Sequence, residues 1–451
     1  MRSKLFLTIL LAAAAVAALG GALVAVAGAE DSGPLPDTTA PELLARMGDP
    51  SRGPEAISGD ITWTNELFGE LPFMPDHVAQ PAESPLMASG SGRLWAQDHK
   101  LRLESQGQGG DQILVADAKA GTMWTYTFAD DTAHLYEWPG AGEAPEARPS
   151  PSLQTMTPER VSGFLQAAAR FMAVEVTGQT VVAGREAYVL TMTPAANDTA
   201  LGKVEAAIDG RTFVPLRLDV VAKGHDTPTL SFGFTRVSYD PVGDEVFAFT
   251  PPEGAKVQRD AIDPEGEGHD AGKDDARATS EEDRAGAMEQ MKRLARTALL
   301  SRAEAAELVD FPLAWAQDYT ARDFRWAYVF DEGMPVDALG SPVFDMAQAW
   351  GGVGGDAAGG SPPEMGPAAV LLYGEGFGSI VLAQTKTTAD IREQMKQLPE
   401  VVDSIDLGGT QAKAAVTPLG SVIMWERDGV TIVAGGMVPR ADLVAFVNSV
   451  R

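Results

Sequence analysis

Apolar positions change their spacing several times along this chain, and each change marks an element. Residues 41–47 place Leu43, Leu44 and Met47 on one helical face. From Ile57 the period drops to two, and residues 57–65, the run GRLWAQDHKLRLES over 92–105, 112–116 and 123–128 read as strands. Thr157-Pro158 supplies a helix start, a capping hydroxyl followed by a residue that needs no N–H. Val161, Phe164, Leu165, Ala168 and Met172 then recur at helical spacing. Strand patterns return at 180–182, 186–193, 203–208, 215–222, 229–239 and 245–250, with turns at Ala183-Gly184 and Asp209-Gly210. About eight to eleven strands and two helices before Val257 predict a large antiparallel sheet with helices on one face.

Three stretches interrupt these patterns. Residues 67–89 hold four prolines among exposed-type Leu, Phe and Met, which forbids a regular element and suggests an apolar flap beside the sheet. Residues 139–151 look like a second insertion. Residues 259–284 are acidic and poor in apolar side chains, so they cannot form a core and read as a flexible linker. The pattern beyond predicts a helical lead-in over about 282–300, a second helix capped by Ser301, and strands at 324–330, 370–373, 379–385, 412–417, 422–426 and 430–434. Asp428-Gly429 marks a hairpin, and Leu443, Val444, Phe446, Val447 and Val450 form the apolar face of a terminal helix. The glycine- and proline-rich interval 350–366 is a loop. The expected fold class from pattern alone is α+β: a large antiparallel sheet with helices on one face before Val257, and a smaller α+β domain over 285–451.

At the N-terminus Arg2 and Lys4 precede an apolar run of about 22 residues, long enough to span a bilayer. Small residues at Ala27-Gly28-Ala29 suit a signal peptidase. Residues 1–29 are therefore either a cleaved export signal or a retained anchor, and in both cases the body lies outside the cytoplasm. The absence of cysteine removes disulfides, thiol catalysis and thioether lipid anchoring together. With 63 acidic against 35 basic residues the net charge is −28, which disfavours nucleic acid and anionic membrane surfaces.

Catalytic chemistry finds little support. His77, His99, His134, His225 and His269 show no ligand spacing, so no metal or other cofactor is expected. Pairs such as Asp130-Asp131 and Asp274-Asp275 suit solvation better than acid–base work. Ser84 and Ser421 lack a local base. Gly374, Gly376 and Gly378 in YGEGFGS are followed by strand rather than helix, which favours a glycine-rich hairpin over a phosphate loop. A large curved sheet beside apolar loops can instead leave a hollow for an acyl chain, gaining about 0.8 kcal/mol per buried methylene. Candidates for its lining or lid are Trp63, Leu67, Phe68, Phe73, Trp95, Leu101, Leu103, Trp124, Phe128, Phe164, Phe171, Leu190 and Phe232. Taken singly, each is better explained as ordinary core. Only the set argues for a cavity.

GSGRLWAQDHKLRLESQG, ILVADAKAGTMWTYT, IDGRTFVPLRLDV, FGFTRVSYD and VFAFTPPEGAKV resemble segments of the bacterial periplasmic lipoprotein-carrier (LolA-like) superfamily. They also resemble its relative, the regulatory subunit that senses envelope stress beside a sigma-factor inhibitor. The resemblance covers residues 38–258. It implies a half-open barrel with a helical lid that holds a lipid or lipoprotein acyl chain without chemistry. It further implies that Arg102 helps to poise the lid, with Arg93 the alternative. The ending VIMWERDGVTIVAGGMVPRADLVAFVNSV is similar to small domains beside anti-sigma regulators and sporulation-type membrane proteins. The leading expectation is an exported, non-catalytic protein holding a lipid or lipoprotein acyl chain in an apolar half-barrel cavity; the alternative is an envelope sensor that binds a membrane-associated anti-sigma-type partner. A hydrolase would need a distant nucleophile and base to converge.

Overall fold

A computed structural model describes residues 35–49, 53–67, 89–107, 110–138, 158–261, 300–330, 367–396 and 403–451. The N-terminal apolar run, the insertions at 68–88 and 139–151, most of the acidic linker, the helical lead-in before Leu300 and the 350–366 loop lie outside them. Among the described residues no helix is long and apolar enough to cross a membrane. The chain forms two compact units. One comprises Met1–Glu70, Gln80–Ala195 and Gly202–Gly266; the other comprises Leu71–Ala79, Ala196–Leu201 and Glu267–Arg451.

The first unit begins with helix α1 (Ala40–Met47), started by a capping box in which Thr39 and Glu42 exchange side-chain and backbone bonds. Six strands follow, β1 (Ala56–Asn65), β2 (Gly90–Gln97), β3 (Lys100–Gly107), β4 (Gln112–Asp117), β5 (Thr122–Thr127) and β6 (Thr132–Glu137). After α2 (Pro158–Ala168) come β7 (Met172–Val182), β8 (Arg185–Pro194), β9 (Leu201–Asp209), β10 (Pro215–Ala222), β11 (Leu230–Ser238) and β12 (Lys256–Ala261). They form one 12-stranded sheet in the order β12-β6-β5-β4-β3-β2-β1-β11-β10-β9-β8-β7. The outermost strands do not pair with each other, so the sheet is open, matching a half-open barrel with helical elements.

Several boundaries differ from the sequence pattern. The run 92–105 is two strands, because Asp98 takes a positive φ of 54° and turns the chain back at Asp98-His99. Met172 opens β7 instead of closing α2. Residues expected as a strand at 245–250 begin with the single turn Asp244–Phe247, and β6 was not anticipated. β12 takes in Arg259–Ala261, assigned by composition to the linker, and runs parallel to β6, so the sheet is mixed rather than wholly antiparallel. Pattern alone misses this, because β11 lies mid-sheet and its chain must cross to the far edge before pairing again.

The second unit is a seven-stranded antiparallel sheet in the order β13-β14-β15-β19-β18-β17-β16. Its strands are β13 (Phe324–Phe330), β14 (Ala368–Tyr373), β15 (Ile380–Lys386), β16 (Asp403–Asp406), β17 (Gln411–Thr417), β18 (Gly420–Arg427) and β19 (Val430–Gly436). Its helices are α3 (Arg302–Leu308), α4 (Ala389–Lys396) and α5 (Arg440–Ser449). Neither α4 nor β16 was expected from the pattern. The aligned apolar face of α5 buries Leu443, Phe446 and Val447 against a core that holds Trp425 and Leu382. Buried Gln384 is fully engaged: its Nε2 donates to Ala314 O and its Oε1 accepts from Ala314 N, both at 2.7 Å. Asp428 (φ 51°) and Gly429 (φ 75°) form the expected β18–β19 hairpin turn.

Candidate functional site

Alternation along β1 defines the two faces of the large sheet. Ile57, Ile61 and Trp63 point one way, where they join Leu94, Leu216 and Phe234 in the main buried cluster of this unit. Ser58, Asp60 and Thr62 point the other way. Ala187 and Ala207 belong to the cluster of the core face, whereas Tyr188 and Ile208, one residue out of phase, pack under Leu43 of α1. Helix α1 therefore lies on the face opposite the main core.

This division separates the apolar candidates. Trp63 is buried in the core-face cluster, and Leu101, Leu103 and Phe232 pack against it. Trp63 lies flat over its cross-strand partner Gly90, where a Cβ would come within 2.5 Å of the ring. Trp95, Trp124 and Leu190 are on the helix face, Leu190 beneath α1. Phe128 stands 54% exposed beyond β5, edge-on to Tyr126. Phe171 lies under the Arg170 guanidinium just before β7, and Leu67 is half-buried at the end of the β1 segment. The side chain of Phe164 and all of Phe68 and Phe73 lie outside the described residues. One hollow on one face can take only part of this set, because neighbours in a strand point to opposite sides.

Arg102 sits in a row across the helix face, with Trp95 on one side and Val115 on the other, then Trp124 and Leu135. Its guanidinium is engaged away from α1 and α2. Nη1 donates to the carbonyls of Val246 (3.1 Å) and Ala248 (3.3 Å), and Nε and Nη2 bond Glu104 at 2.8 and 2.7 Å. The segment it grips is the β11–β12 connection, a strap crossing β3–β5. Phe249 of the strap packs against Trp124 and Tyr126 at ring separations of 5.7 and 6.0 Å, and Phe247 is buried. Val242 N–H donates to Gln97 Oε1 at 2.7 Å, and Lys100 Nζ meets Asp244 at 2.6 Å. That hydrogen bond from Lys100 raises the pKa of the ammonium. The strap was legible only as the phrase VFAFTPPEGAKV; its aromatic pairing has no sequence signal, since Trp124 and Phe249 are far apart in the chain.

Among the described residues, the helix face between α1 and the strap is polar and open. A ladder of alternating charge runs across β11, β1, β2 and β3 as Arg236, Asp60, Arg93 and Glu104. Arg236 is ion-paired with Asp60, and Arg93 Nε lies 3.3 Å from the same carboxylate. The side chains of Arg236 and Arg93 are 76% and 61% exposed. Thr62, Ser91 and Thr235 complete an exposed polar floor.

No family model matches the chain, and neither does any curated protein. Among solved structures, the MucA/MucB complex of Pseudomonas aeruginosa overlaps 91% of this chain and 96% of its own, at 14% identity and a TM-score of 0.36. A conserved protein of Thermus thermophilus covers 49% of this chain and 99% of its own at 12% identity and TM-score 0.30. A LolA superfamily protein of Nitrosomonas europaea covers 47% and 99% at 9% identity and TM-score 0.18. These are distant, loose likenesses, and they carry no weight in assigning a function.

Other polar clusters act as framework. Asp209, almost wholly buried, is ion-paired with Arg185 and accepts from Tyr239 Oη at 3.1 Å and from the amides of Arg211 and Thr212 at 2.8 and 2.9 Å. Burial alone would raise its pKa, but the bonds from Arg185 and the two amides outweigh it and hold the carboxyl below its usual value. Burial, followed by the Asp209 charge, pushes the Tyr239 phenol well above the usual range. In the second unit Arg322 donates to Gly378 O (2.6 Å), Tyr319 Oη (2.8 Å) and Asp198 O (2.8 Å), with Asp442 Oδ2 at 3.3 Å. Gly378 closes the turn of YGEGFGS, where Gly374 and Gly376 take φ values of 78° and 59°, so this motif is a hairpin connection between β14 and β15. Among the described residues no three His, Cys, Asp or Glu side chains form a metal-holding group.

Proposed function

We propose that this chain is an exported, non-catalytic binding protein of the cell envelope whose principal partner is another protein, a membrane-associated regulator of the anti-sigma type. Residues 38–258 serve as its binding domain and 285–451 as a second docking domain. The open, charge-laddered floor formed by Arg236, Asp60, Arg93 and Glu104 carries the preference for protein over lipid. A hydrocarbon chain gains its ~0.8 kcal/mol per methylene only against a continuous apolar wall. Alternating charge instead favours register and selectivity with a protein surface. The basic, apolar start of the chain supports export.

Carriage of a lipid or lipoprotein acyl chain is the second reading, and one observation favours it. Phe249 fills an aromatic site on Trp124 and Tyr126 while belonging to a strap held by a few polar bonds, so an acyl chain could compete for that surface. In that case Arg102 would set how readily the strap yields.

Native mass spectrometry of residues 30–451 purified without detergent, followed by organic extraction, separates the two. The expected result is a chain without stoichiometric lipid that forms a complex with the extracytoplasmic domain of the anti-sigma-type membrane protein from the same genome. A stoichiometric acyl-containing mass and no protein complex would reverse the order.

A further inference from the structure

The two sheets have four edges, and three are guarded. β12 carries Lys256, Arg259 and Asp260; β16 is four residues long with an aspartate at each end; β13 is met by Leu300, which exchanges both backbone bonds with Ala327. Charge, brevity and cover are the usual means by which an edge avoids adding a foreign strand. β7 has little of any. It is 11 residues long, MAVEVTGQTVV, with no proline or lysine and a single charge at Glu175.

Its inner side pairs with β8, and among the described residues no backbone group bonds its outer side. The bond from Ala195 N–H to Phe171 O (2.9 Å) sets the phase of the ladder. Ala173 and Glu175 thus direct their backbone groups to β8, and Met172, Val174 and Val176 turn theirs outward. The register shift between Val176 and Gly178 breaks the edge locally, yet a Cβ at Gly178 would meet nothing within 4 Å. Val181 beyond it is 64% exposed.

We propose that β7 is a docking edge that takes one extended, basic segment of a partner protein as an added strand. The proposal rests on the protein-binding function above and supplies its surface and chemistry. Charge selects the occupant. Glu175 on one face of the edge and Glu186, cross-strand from Val181 on the other, both expose their carboxylates. Of the nearby cations, Arg185 and Lys203 are committed to Asp209 and Glu205, and Arg170 lies over the Phe171 ring before the strand begins. A second copy of the chain would bring a net charge of −28 to the same carboxylates, so a basic strand is favoured over self-pairing.

The test uses the whole exported chain and three labelled peptides: acetyl-KVKVKVKV-amide, its EVEVEVEV counterpart, and the KV peptide N-methylated at alternate residues. The KV peptide should bind about tenfold or more tighter than the other two, since one lacks charge complementarity and the other lacks ladder donors. It should also slow amide exchange within 172–182, and the double substitution Glu175→Gln with Glu186→Gln should weaken it without unfolding an exposed edge. The edge site is overturned if the KV peptide fails to bind, if N-methylation changes nothing, or if protection falls elsewhere. A concentration-dependent dimer that protects β7 overturns it in favour of a second copy. Binding of the anti-sigma-type domain with 172–182 unprotected overturns the edge alone and leaves the protein-binding function standing.

Discussion

Replacing Asp209 with asparagine keeps the shape of the side chain and removes its charge, which makes it a direct test of the buried cluster at the β9–β10 turn. The carboxylate is 1% exposed and has four partners, Arg185, Tyr239 and the amides of Arg211 and Thr212. Breaking a buried pair costs about 3–5 kcal/mol. Arg185 keeps 30% exposure and can recover water, so the expected loss is smaller, about 2–3 kcal/mol. For a unit of this size that lowers Tm by roughly 5–10 °C. Its pH dependence has a definite sign. The folded-state pKa lies below the usual 3.8, so the stabilisation is complete above about pH 4 and is lost as pH falls through the folded value. Urea unfolding of parent and Asp209→Asn, followed by amide exchange in β8 and β9, should show the full gap near neutrality and a narrower one at about pH 3. A gap of the same size at both pH values, or one under about 1 kcal/mol at neutrality, would refute the reasoning.

Three further outcomes follow from the contacts. Arg102→Ala leaves the Val246 and Ala248 carbonyls without their donor, and exchange of amides in 242–252 should quicken about ten- to hundredfold; unchanged rates would show that Phe247 and Phe249 hold the strap alone. Arg322→Ala removes a 3%-exposed guanidinium from Gly378, Tyr319, Asp198 and Asp442; the two carboxylates left behind are 47% and 39% exposed and recover water, so the expected loss in thermal or urea unfolding of the second unit is about 2–3 kcal/mol, a loss below about 1 kcal/mol arguing against it. Trp425 is fully buried and its Nε1–H meets no acceptor among the described residues, so Trp425→Phe should cost far less than Trp425→Ala, about 3–5 kcal/mol for the latter; equal losses in chemical denaturation would mean that the indole N–H has a partner.

Local signals in this chain were reliable where the reason for an element is itself local. The Ser301 capping box starts α3, the Asp428-Gly429 turn joins β18 to β19, and the apolar positions of α5 bury as one face. Signals failed where a distant partner decides. β6 holds its place between β5 and the parallel β12, a pairing that no residue within 132–137 announces. Residues 245–250 alternate as a strand would, yet Arg102 takes two of their carbonyls and they form part of a strap.

Read alone, the amino-acid order settles the class of the molecule: an α+β chain with a large sheet of many strands, and no cysteine chemistry. Those properties follow from period, turn residues and composition, which are summed along the chain and survive any arrangement in space. Tertiary structure alone decided which side chains share a surface. Trp63 and Trp95 were equal candidates on neighbouring strands, yet strand pairing sends Trp63 into the core and Trp95 to the opposite face beside Arg102. It also decided that Asp60 stands between two arginines from different strands, and that β7, one strand among twelve, is left at an edge. Facing and edge position depend on register and strand order, and these are properties of pairs of segments that no single segment encodes.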